Sequence, residues 1–99
     1  MGEAKRDIIT SSQNSIVKEI AALKSKKHRE EKGCFVIEGA RFFEEALKER
    51  ANILKVVVSE GFLAGRDARI NEIRLRIGKM DTITVADRIF KNLSDTETP

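Results

Sequence analysis

The sequence holds one cysteine, Cys34, and one histidine, His28, so an intrachain disulfide is impossible and a zinc site with several cysteine or histidine ligands cannot be built. Long hydrophobic runs are missing too: the longest is only a few residues, and charged side chains occupy the amino terminus where a signal peptide would be apolar. No membrane span or secretion signal is therefore expected, and the expected location is cytoplasmic. Charge of one sign is not in large excess either. With 19 Lys and Arg against 16 Asp and Glu, the net charge is +3, too small for a polybasic tail that coats any polyanion. A nucleic-acid role would require the cations to be clustered. No internal repeat or low-complexity tract is present.

A chain of 99 residues suits one compact domain. Charged residues make up 35% of it, above the roughly one quarter usual in globular proteins, so a modest core under a charge-dense surface is expected. Residues 1–8 read as a polar, disordered head. From Asn14 the pattern becomes helical: Ile16, Val17, Ile20 and Leu23 share a face, and the Asn14 side chain suits the amino-terminal cap. Residues 25–33 lack apolar periodicity and read as an exposed basic loop. Cys34, Phe35, Val36 and Ile37 form a continuous apolar run that suits a central strand covered on both faces, with Cys34 as a small buried hydrophobe rather than a catalytic thiol. A helix over residues 40–50 follows, with Phe42, Phe43, Ala46 and Leu47 on its buried side.

Residues 53–58 are rich in β-branched side chains and predict a second strand. Phe62 and Leu63 fall in the turn after it, Phe62 anchoring to the core. Ile70, Ile73 and Ile77 recur at helical spacing, Leu75 lies off their stripe, and Gly78 is placed to end that helix in the left-handed conformation. Residues 82–85 predict a third strand, and Ala86, Ile89, Phe90 and Leu93 mark one face of a last helix. Strands separated by helices cannot pair as tight hairpins. The expected fold is α/β: a small three-layer α/β/α sandwich with a mainly parallel sheet. Sheets of this kind usually present ligand sites beyond the carboxyl ends of their strands, here Glu38 and Gly39, residues 59–62, and residues 86–88.

Three segments together resemble one family. Ile9-Thr10-Ser11-Ser12-Gln13-Asn14 with Val17-Lys18 resembles the opening of SpoU/TrmH-type RNA 2′-O-ribose methyltransferases, and Phe35-Val36-Ile37-Glu38-Gly39-Ala40-Arg41 resembles their strand-to-helix signature. Leu93-Ser94-Asp95-Thr96-Glu97-Thr98-Pro99 resembles the passage into their methyltransferase domain. The resemblance implies the amino-terminal substrate-binding domain, with a fold shared with ribosomal proteins that bind kinked RNA. It implies an RNA-binding domain over residues 9–93 and a linker over 94–99. The catalytic arginine, the S-adenosylmethionine pocket and the homodimer interface belong to a knotted domain whose motifs do not occur here. The fragment is thus expected to be non-catalytic, cofactor-free and monomeric, with RNA, ribosomal RNA foremost, as its partner. Two positions depart from the pattern: Ser15 stands where proline is frequent, and Ala86 where a serine cap is frequent. Loss of that cap is worth about 1 kcal/mol, with Asp87 compensating through the helix dipole.

The candidate contacts are Lys24, Lys26, Lys27, His28, Arg29 and Lys32, because several cations in one exposed segment can follow phosphates and release condensed counterions. Arg29 leads them, since its planar fork binds phosphate bidentately or stacks on a base. Arg41 and Lys18 are further candidate contacts. Glu38, beside Gly39, is placed to orient Arg29 or Arg41; the competing reading is that Glu38 only favours the start of the next helix. Asn14 serves as a cap, and His28 adds at most a phosphate contact. With every phenylalanine assigned to the core, shape and phosphate recognition are expected rather than base stacking. Two other classes compete with this reading: a stand-alone RNA-binding module of ribosomal-protein type, and a protein-interaction domain, which would need a sizeable exposed apolar patch.

Overall fold

The structure, a computed structural model, describes residues 8–94. The expected head, apart from Ile8, and the expected linker, apart from Ser94, lie outside the described residues. The element order is β1 (Ile8–Ile9), α1 (Ser15–Ala22), α2 (Lys26–Lys32), α3 (Ala40–Lys48), β2 (Val56–Ser59), α4 (Glu60–Ala64), α5 (Ala68–Ile77), β3 (Thr82–Val85) and α6 (Asp87–Ser94). The sheet order is β1-β3-β2 and both pairings are parallel. The expected α/β sandwich with a parallel sheet is what the chain forms.

Strand alternation divides the interior in two. Val57 sits opposite Ile83, and Ser59 and Ile9 lie opposite Val85. Their apolar side chains pack with Val17 of α1 and with Ile89, Phe90 and Leu93 of α6 on one face. Val56 and Val58 occupy the other face, opposite Thr82 and Thr84. There they join Ile73 and Ile77 of α5, Phe43 of α3, and Phe62 and Leu63 of α4. Phe62 thus reaches the core as expected, from a short helix rather than a turn. Leu75 stays 78% exposed.

Several expectations are corrected. Residues 26–32 are a helix, not a loop: Lys, Arg and Glu are strong helix formers, and Gly33, at φ 69°, closes α2 with its N–H on the Arg29 carbonyl at 2.9 Å. Residues 34–37 are not a strand. The two sides of β3 are taken by β1 and β2, and the apolar run is left outside the sheet, with Phe35 71% and Val36 51% exposed. Phe42 is 61% exposed because the adjacent Phe43, about 100° round the helix, is the one that meets the core. The second strand begins only at Val56. Gly78 is right-handed, at φ −58° and ψ −21°, and the Thr82 hydroxyl instead reaches the Ile77 carbonyl at 3.2 Å. Ile8, counted with the head, belongs to β1.

Val85 is completely buried and contacts helices of one layer, so Val85→Ala should cost roughly 2–3 kcal/mol in urea unfolding. Leu75→Ala, on the exposed side of α5, should change stability by less than about 0.5 kcal/mol. Equal losses at the two positions would contradict the assigned core.

Candidate nucleic-acid interface

The cationic segment is presented by a corner between two helices. Asn14 caps α1 as expected: its side-chain oxygen accepts from the Ile16 amide at 2.8 Å and the Val17 amide at 3.2 Å. Val17 then faces the core while Lys18 remains exposed, its ammonium 3.5 Å from the Gln13 side-chain oxygen. The chain turns at Leu23 and Lys24 and starts α2 after Ser25. No residue of α2 is buried, so its position relies on polar anchors rather than on an apolar stripe.

Two cations supply those anchors. The Arg29 guanidinium donates to the Leu23 and Lys24 carbonyls, each at 2.9 Å, capping the exposed carbonyl end of α1 from within α2. Lys24 donates to the Asn92 carbonyl at 2.8 Å and ties the corner to α6. Arg29 is half-buried. Its geometry therefore gives it a structural job that the sequence did not show, since a main-chain acceptor six residues away leaves no mark in a pattern of residue types.

Lys26, Lys27, His28 and Lys32 are exposed on α2, with Lys26 3.8 Å from Glu30 one turn on. A one-turn ion pair of this exposure is worth only a few tenths of a kcal/mol and yields readily to a phosphate. The structure thus places five of the named residues, with Arg29, on one corner and helix. Arg41 lies apart from them on α3 and lines a groove toward α5.

Glu38 makes no hydrogen bond or ion pair among the described residues, so it orients neither Arg29 nor Arg41. Gly39 has φ 103°, a conformation in which a side chain would be strained, and its carbonyl accepts the Phe43 amide at 3.0 Å to open α3. At the carboxyl ends of the strands, Arg88 donates to the Thr10 carbonyl at 2.6 Å, and the Asp87 carboxylate accepts the Gly61 amide at 2.9 Å. Asp87 thereby ties α6 to the start of α4. A Cβ on Gly61 would come within 2.9 Å of that carboxylate, which explains the glycine.

On α3, Glu44 accepts from Arg69 of α5 at 2.8 Å. The hydrogen bond holds the Glu44 carboxyl below its ordinary pKa and raises that of Arg69; the nearby Arg76 charge acts on Glu44 in the same direction. The contact is consequently present at neutral pH and is lost as the pH falls through the lowered Glu44 value.

The chain is thus a small α/β domain whose helix α2 buries no residue and exposes Lys26, Lys27, His28 and Lys32. The MRM3-like substrate binding domain family matches residues 14–99, and the chain belongs to that family, a domain of SpoU/TrmH-type RNA 2′-O-methyltransferases. No curated protein and no solved structure matches the chain. No helix among the described residues is long and apolar enough to cross a membrane.

Two measurements check this geometry. Arg29→Ala should lower unfolding stability by about 1–3 kcal/mol, because two helix-end carbonyls lose a charged donor; no loss would show that the corner does not need it. In an NMR pH titration, Glu44 should titrate below a free glutamate and move upward in Arg69→Ala, which removes the hydrogen bond that is the largest cause of the lowering.

Proposed function

We propose that the domain selects a structured RNA, ribosomal RNA in the first place, for 2′-O-ribose methylation, and that α2 with its preceding corner is the primary contact. The observation that carries this reading is the exposed quartet Lys26, Lys27, His28 and Lys32 on a helix that buries nothing, held in place by Arg29 and Lys24. In such a helix the outward side chains add little to the core, and their charges can replace the counterions condensed on an RNA backbone. Lys18, exposed on the first turn of α1, is a further candidate contact, and Arg29 acts chiefly by fixing the direction of α2.

Methyl transfer from S-adenosylmethionine, in this reading, is the work of a separate catalytic domain in the cytoplasmic full-length enzyme, which pairs as a homodimer through that domain. The two grooves on α3 are open and charged, unlike the enclosed apolar sites that hold small cofactors, so no step is assigned to them through that group. The RNA-binding domain contributes affinity and orientation.

Replacing Lys26, Lys27 and Lys32 by alanine should leave the fold intact and weaken binding of a ribosomal RNA hairpin at low salt. With about 0.7–0.9 counterion released per phosphate contact, the slope of log affinity against log salt should flatten by roughly 2. A folded triple variant with unchanged affinity and slope would remove α2 from the interface.

A further inference from the structure

The first two turns of α3 carry Arg41, Phe42 and Glu45, which together line a shallow concavity. Phe42 is 61% exposed, an unusual placement for an aromatic ring beside a core that already holds Phe43. Arg41 and Glu45 are four residues apart on one helical face, yet among the described residues they form no ion pair with each other or with any other group. The concavity opens into a groove of about 600 Å³ between α3 and α5, which shares Arg41 and Glu45 with it. Lys48 and Arg76 line that groove, and neither makes a hydrogen bond or ion pair among the described residues.

A cation, a bare ring and a carboxylate within little more than one helical turn match three features of an unpaired nucleotide: its phosphate, the face of its base and the N–H groups on the base edge. An exposed phenylalanine offers a base a stacking surface that is indifferent to sequence, since every base has a π-face. Guanidinium is suited to phosphate. A carboxylate only accepts hydrogen bonds, and each of the four bases has at least one N–H donor on its pairing edge, free only when the base is unpaired. Along the groove Lys48 and Arg76 stand beside Glu44 and Glu72, so that lining is mixed in charge, and the nucleotide reading rests on Arg41, Phe42 and Glu45 alone.

We propose that Arg41, Phe42 and Glu45 form a second RNA contact that takes one unpaired nucleotide, with the base stacked on Phe42, a phosphate on Arg41 and a base N–H on Glu45. The proposal rests on the reading of the domain as RNA-binding but not on α2 being the contact. It places the two contacts on different elements, so that α2 supplies general affinity for the backbone and α3 distinguishes a flipped-out or bulged nucleotide from continuous duplex.

The test uses the whole chain and two RNA hairpins that differ only by one bulged nucleotide, with affinities read by fluorescence anisotropy at low salt. The wild type should prefer the bulged hairpin by about tenfold, the order expected of one base–aromatic stack. Phe42→Ala should abolish that preference, and Phe42→Trp should keep it. The Lys26, Lys27 and Lys32 alanine variant should weaken both hairpins alike and preserve the ratio. A wild type without preference, or a Phe42→Ala variant that retains it, overturns the proposal and leaves the exposed ring to a protein partner. A preserved preference together with an α2 variant that binds both hairpins normally overturns the α2 reading alone. Absence of binding to either hairpin overturns both.

Discussion

The domain depends on β3 being a central strand with neighbours on both sides. Its four residues form both parallel ladders, and its alternating side chains feed both interiors: Ile83 and Val85 toward α1 and α6, Thr82 and Thr84 toward α3, α4 and α5. Parallel strands cannot be joined by tight turns, so each pairing requires a crossover, and the helices that make those crossovers become the outer layers. A short strand that is buried on both faces must be apolar or satisfied. Thr84 meets this only in part, since its hydroxyl is buried with no partner among the described residues. Removing water from such a group has a cost that the surrounding valines and isoleucines must outweigh.

This arrangement decides where charge can go. The inward stripes of α1, α5 and α6 are used by the two interiors, which leaves the cations of those helices at the rim or engaged in local ties. Arg88 reaches the Thr10 carbonyl, and Arg74 holds the Leu63 and Gly65 carbonyls beside α4. Among the described helices, α2 alone contributes no side chain to either apolar interior, and it is there that Lys26, Lys27 and Lys32 extend from one element. The clustering that a net charge of +3 demands is therefore produced by topology as much as by sequence.

How much could be read beforehand follows from where the signal lies. β3, α5 and α6 were legible because their apolar side chains recur with the period of the element and end up inside. The Asn14 cap was legible because the chemistry is local. α2 was not, because a helix with no buried face has no apolar period, and only the helix-forming tendency of Lys, Arg and Glu announced it. Residues 34–37 misled for the opposite reason: a continuous apolar run states that burial is favourable without saying whether a sheet edge is available. The two-residue β1, flanking β3 on the side away from β2, is too short to carry any pattern. Within the candidate site, residue types announced the cluster of cations, whereas the tie from Arg29 to main-chain carbonyls could be seen only once the corner was folded.

That tie bears on recognition itself. A helix held by burial is rigid because its apolar stripe fits one place; a helix without one would swing about its connection and lose orientation entropy on meeting RNA. Arg29 and Lys24 take over the role of the stripe, one gripping the end of α1 and the other the end of α6. They are themselves cations of the segment: Arg29, half-buried, is largely taken up by its tie, whereas Lys24 remains exposed while it makes its own. The exchange favours binding when the freedom removed from α2 exceeds what a further phosphate contact from Arg29 would add. What the two ties fix is the backbone of α2 and hence the directions in which Lys26, Lys27 and Lys32 leave it; the exposed side chains themselves stay free to adjust to whatever anion they meet.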